Sequence, residues 1–82
     1  MIILDLARKH GISDNDMIDV IEDSDVAVMI REEPLKTMFI GFDTKARALE
    51  VITDTGTDRQ VYIIHADKLS KQYEVLLKEA LE

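Results

Sequence analysis

Two imidazoles and a handful of cations are the side chains in this sequence with the chemistry to move a proton or hold an anion. His65 closes the apolar run Val61-Tyr62-Ile63-Ile64 and is followed by Ala66-Asp67-Lys68. An imidazole titrates near neutrality, so one at the end of a strand suits proton transfer. At period two the same residue shares a face with Val61 and Ile63, so a half-buried, hydrogen-bonded histidine competes with the functional one. His10, in Lys9-His10-Gly11, falls at a predicted helix end, where a cation meets the last carbonyls and a capping role is expected. Lys45 and Arg47 fall in one predicted turn, and Lys68 and Lys71 open the last predicted helix. A sheet that curls to bring these four to His65 would make a phosphate-binding cluster.

Other chemistries find no support. There is no glycine-rich phosphate loop, no dinucleotide fingerprint and no serine-histidine-aspartate context. With no cysteine in the chain, disulfides and thiolate zinc sites are excluded. The acids Asp14, Asp16, Asp19, Glu22, Asp23 and Asp25 lack the central glycine and terminal glutamate of a calcium loop. They are expected to form a solvated helix face or an acidic docking surface, so neither a metal nor a cofactor is expected.

The elements that must position these groups follow from periodicity. Ile3, Leu6, Ala7 and His10 recur at helical spacing, with Gly11 where a left-handed cap would end a helix over 3–10. Ser13 with Asp16 resembles a capping box, which predicts a second helix running to about Asp23. Four strands are predicted at 26–30, 37–42, 48–53 and 60–65 from their β-branched and apolar runs. The joins between them are short and rich in turn formers, so sequence neighbours should pair antiparallel, as a meander with one core face. After Ser70, Tyr73, Leu76, Leu77 and Ala80 form the apolar stripe of a C-terminal amphipathic helix. The expected fold is therefore α+β: two N-terminal helices, a four-stranded antiparallel sheet and one C-terminal helix.

The 82 residues allow one domain over 1–82 and a thin margin of stability, which a bound partner would raise. Hydrophobic residues at 46 % and charged residues at 33 % belong to a globular chain. A formal net charge of -7 repels nucleic acid at long range and favours a basic protein partner, unless a local cationic patch overrides it. No apolar run reaches the roughly 18 to 20 residues of a membrane span, and Asp5 interrupts the opening run, so a cytoplasmic protein is expected.

Lys9-His10-Gly11-Ile12-Ser13, then Gly41-Phe42-Asp43 leading to Arg47-Ala48-Leu49-Glu50-Val51, then the run from Val61 to Ala66, resemble in order the BrnT-like family of type II toxins. The likeness extends over nearly the whole chain. It implies a RelE-like α+β fold, metal-independent cleavage of RNA, and silencing by a small antitoxin protein. Carried over by position, His65 becomes the proton-transfer group, with Arg47 and Lys68 stabilising charge on phosphate. Lys45, Lys71 and Tyr73 become substrate-binding residues. Asp67 stands where the family shows arginine, and this chain begins almost at its first helix where the family opens with a strand, so the sheet is expected to lack an edge strand.

Two functions follow. The first is a BrnT-like endoribonuclease toxin in which a base takes the 2′-hydroxyl proton and an acid protonates the leaving oxygen. The second is a non-catalytic protein-binding module that uses the acidic second helix or the C-terminal helix. An uncovered sheet edge would also favour a homodimer.

Overall fold

The computed structural model describes all residues, Met1–Glu82. Strand β1 (Ile2–Ile3) leads into a 3-10 turn (Asp5–Arg8) and helix α1 (Asp14–Glu22). Strands β2 (Val26–Arg31), β3 (Lys36–Phe42), β4 (Ala48–Thr55) and β5 (Val61–Lys68) follow, then a second 3-10 turn (Lys71–Tyr73) and helix α2 (Glu74–Leu81). The five strands form one sheet in the order β1-β5-β4-β3-β2.

The fold is α+β, but the expected two N-terminal helices and four-stranded antiparallel sheet are overturned. The segment expected as a first helix instead opens as β1, which pairs parallel to β5 with Ile2 opposite Tyr62 and Ile3 opposite Ile63. The Leu4 amide donates to the Ile63 carbonyl at 3.1 Å, continuing that ladder. Pairing with β5 wins because only a single 3-10 turn then remains to be formed, and Ala7 within it is fully buried against the sheet. The sheet is thus mixed, and the edge strand expected to be missing is present at β5. Gly11 does adopt the left-handed conformation, φ 76°, expected of a glycine closing a turn.

Helix α1 forms where its cap predicts. Ser13 is extended, and its hydroxyl oxygen accepts from the Asp16 amide at 3.1 Å. The helix buries Met17 and Val20 against Leu49, Val51, Ile63 and Ala66 of β4 and β5. Each such side chain contributes about 2 kcal/mol by leaving water.

The expectation of a single core face fails. Met38 and Ile40 of β3 belong to a second cluster with Leu77 of α2, flanked by Val26, Val28, Ala48, Ile52, Leu69, Tyr73 and Leu76. The sheet is covered on both faces, by α1 and the first 3-10 turn on one side and by α2 on the other. Continuous apolar runs such as Met38-Phe39-Ile40 are what a sheet buried on both sides needs. No helix is long and apolar enough to cross a membrane.

A bulge in β5 decides where His65 points. Thr53 pairs with Ile63 but Ile52 pairs with His65, which leaves Ile64 as the extra residue. Downstream of the bulge the alternation is inverted, so Ala66 joins Ile63 in the α1-side core. His65 shares the opposite face with Ile52 and not, as period two predicted, the face of Ile63. A similar shift in β2 lies between Met29, opposite Thr37, and Arg31, opposite Lys36.

Candidate functional site

Glu50 lies in the middle of β4, directly opposite Asp67, and His65 lies opposite Ile52. Opposed residues of an antiparallel pair share a face, so Glu50, Ile52, His65 and Asp67 all project toward the α2 side. The Glu50 side chain is 5 % exposed and that of His65 31 %. One Glu50 oxygen, Oε2, is 2.9 Å from His65 Nε2. The other, Oε1, accepts from the Ser70 amide at 2.5 Å, which ties the segment entering α2 to the centre of the sheet. A carboxylate only accepts, so His65 Nε2 is the donor of this contact, and in the neutral form of the ring Nδ1 is the acceptor.

The second imidazole stands beside the first. The chain leaving the first 3-10 turn brings the His10 ring to the His65 ring edge to face, with centroids 5.8 Å apart and planes at 74°. His10 Nε2 is 3.5 Å from Asp67 Oδ2, and its side chain is 35 % exposed. Each imidazole therefore has a carboxylate beside one nitrogen and an edge open to solvent. The arrangement holds two groups able to exchange protons with one small ligand. No group of three His, Asp or Glu side chains converges as metal ligands would.

The remaining residues singled out from the sequence do not meet His65. Arg47 lies in the β3–β4 turn, where its Nε donates to Asp43 Oδ2 at 2.6 Å and its amide to Asp43 Oδ1 at 2.9 Å. The Lys45 amide donates to the same Oδ1 at 2.8 Å. The Asp43 side chain is wholly buried. Burial disfavours its charge, but the Arg47 amide and guanidinium and the Lys45 amide outweigh that cost and hold the carboxyl below its ordinary range. Lys68 ends β5 instead of opening a helix, and with Arg47 it lines a cleft against α2. Lys71 is exposed in the second 3-10 turn, and Tyr73 packs in the α2-side cluster.

From Ala48, next to Arg47, to Ile52, opposite His65, is four residues of strand, roughly 13 Å at about 3.3 Å per residue. The curl that would have closed this gap is absent, because the β3–β4 pairing runs in unbroken register from Lys36–Asp54 to Phe42–Ala48.

Sequence reasoning missed Glu50 and gave His10 only a capping role. The signal for Glu50 was present: one acid inside the apolar run Ala48-Leu49-Glu50-Val51-Ile52 must either face water or meet a partner. The position of His10 had no local signal, since it depends on the parallel pairing of β1. No protein-family model, curated protein or solved structure matches the chain.

Proposed function

We propose that this protein is an endoribonuclease of the BrnT-like toxin kind, cutting RNA without a metal and silenced by a small protein antitoxin, with the His10–His65 pair as its proton-transfer machinery. The observation that carries this reading is the pair of rings 5.8 Å apart, each with a carboxylate at one nitrogen. Cleavage of RNA by its own 2′-hydroxyl needs a base and an acid within reach of one phosphate, and two adjacent imidazoles can supply both. His65 takes the 2′-hydroxyl proton at Nδ1, and the Glu50 carboxylate stabilises the imidazolium that results. The O2′–P bond forms as the P–O5′ bond breaks, and the imidazolium form of His10 gives its proton to the departing 5′-oxygen. The products are a 2′,3′-cyclic phosphate and a 5′-hydroxyl, with the two imidazoles left in exchanged protonation states for solvent to reset.

The test is incubation of a long single-stranded RNA with purified protein at low salt and in the presence of a chelator, beside His65→Ala and His10→Ala with their circular dichroism matched. Wild-type cleavage leaving cyclic phosphate ends, reduced about a hundredfold or more by either substitution, is expected. Intact RNA with the wild type, or full activity in His65→Ala, refutes the reading.

A second reading, a protein-binding module, rests on α1. Asp19, Glu22 and Asp23 enter no ion pair, and the last turn of α1 carries no basic residue. This face suits a basic protein segment. Such a complex would lose affinity steeply with added salt, and a Glu22→Lys, Asp23→Lys double variant would abolish it; unchanged binding by that variant removes this reading.

A further inference from the structure

We propose that the cleft between the β3–β4 turn and α2 is a nucleotide subsite, holding the phosphate and base of an RNA residue that flanks the cleavage point. The identity of the strand rests on the ribonuclease reading; the cleft rests on its own geometry.

The cleft has a volume of about 490 Å³ and is lined by Arg47, Ala48, Lys68, Leu69, Glu74 and Leu77. That volume is in the range of small-molecule sites, roughly 300 to 1,000 Å³. Its walls divide by chemistry. Ala48, Leu69 and Leu77 belong to the α2-side core and present an apolar surface. Arg47 and Lys68 bring two positive charges to the same opening on a protein whose formal net charge is -7. Cations beside an apolar wall match a ligand that is anionic at one end and flat and apolar at the other, which describes a nucleotide and not a free phosphate.

The cations are held ready. The bond from Arg47 to Asp43 uses Nε, so the guanidinium plane is anchored while its two terminal nitrogens stay available. Asp43 is itself caged by the amides of Lys45 and Arg47, so the anchor cannot swing away. A fixed planar fork is the side-chain form best suited to phosphate. Lys68 is exposed and takes part in none of the ion pairs that occupy Arg8, Arg31 and Arg47. Glu74, the one acid in the lining, is an acceptor for a base N–H or a ribose hydroxyl.

The subsite is separate from the reacting phosphate. Ala48 lines the cleft and Ile52 lies opposite His65, on the same face of β4 and roughly 13 Å apart, with Glu50 between them. A phosphate on Arg47 is therefore not the one that meets the imidazoles. Arg47 and Lys68 become residues that position a longer strand, and a dinucleotide fills only the histidine site.

The test compares kcat/KM on a dinucleotide and on a hexanucleotide for wild type, Lys68→Glu and Arg59→Glu. The last is a charge-matched control in the β4–β5 turn, at the opposite end of β4 from Arg47. Lys68→Glu is expected to lower hexanucleotide kcat/KM by about tenfold or more through KM, and to leave the dinucleotide within about twofold. Arg59→Glu leaves both within about twofold. An equal effect of Lys68→Glu on both lengths, or no effect on either, overturns the subsite. If the wild type cleaves neither, the ribonuclease reading has failed and the cleft is judged by binding, using fluorescein-labelled hexauridylate at low salt. Binding weakened about tenfold by Lys68→Glu but not by Arg59→Glu keeps the subsite. No binding by wild type, or equal binding by all three, overturns it.

Discussion

Glu50 and His65 are diagonal neighbours across β4 and β5, and the buried carboxylate of the first meets Nε2 of the second at 2.9 Å while its other oxygen holds the Ser70 amide. One side chain thus orients the imidazole and fastens the approach to α2. Its two functions separate by substitution.

Glu50→Ala leaves two partly buried donors without a partner, each costing about 1 to 3 kcal/mol. We expect it to lower the unfolding free energy by about 3 kcal/mol in urea titration. Glu50→Gln can keep both contacts, its oxygen on Ser70 and its amide on His65, and should cost about 1 kcal/mol. The amide is a donor, so it forces Nε2 of neutral His65 to accept and reverses the tautomer. Long-range nitrogen–proton NMR of the imidazole reads that reversal directly, and an unchanged tautomer would contradict the contact.

Acid should weaken the β3–β4 turn through Asp43. Its carboxyl is held below the ordinary carboxylate range against the opposing effect of burial. A folded value below the unfolded one adds stability that is present above the unfolded pKa, near 4, and is lost as the pH falls through the folded value. Denaturant titrations between pH 7 and pH 2 should show Asp43→Asn less stable at neutral pH and less sensitive to acid than the wild type. Parallel pH profiles for the two proteins would show that Asp43 has no such role.

Two glycines answer differently to alanine. At Gly56 an added Cβ would lie 2.7 Å from Asp58 Oδ1 and 2.8 Å from Tyr62 Cε2. The Asp58 carboxylate accepts from the Tyr62 hydroxyl, so moving one disturbs the other. Gly56→Ala is expected to cost about 1 to 3 kcal/mol. At Gly11 an added Cβ meets nothing within 4 Å, but φ is +76°. Gly11→Ala should cost about 1 kcal/mol and Gly11→Asn less, because asparagine tolerates the left-handed region. Thermal unfolding of the three variants orders them.

Leu77 is the buried residue of α2, 8 % exposed, while Val75 on the same helix is 54 % exposed. Truncating Leu77 to alanine should cost about 2 to 4 kcal/mol and loosen α2. Val75→Ala should change stability by less than about 0.5 kcal/mol. Hydrogen exchange of the α2 amides separates local loosening from global loss; equal effects of the two truncations would mean that α2 is not packed through Leu77.

Local chemistry determined much of this protein from the sequence alone. The Ser13 cap starts α1, the four strand runs form an antiparallel meander, Gly11 turns the chain left-handed, and the stripe through Leu76 and Leu77 makes α2, because caps, turns and periodicity act over a few residues. His65, Arg47 and Lys68 were also visible, as residue types able to do chemistry. The tertiary structure alone decided how they are grouped. Ile3, Leu6, Ala7 and His10 have enough helical periodicity to suggest a helix, and only the free edge of β5 makes Ile2 and Ile3 a strand. The bulge at Ile64 turns His65 toward Glu50, and the path of β1 brings His10 to its side. Pairing partners, bulges and the choice of sheet face depend on contacts between residues far apart in the chain, and no local pattern carries them.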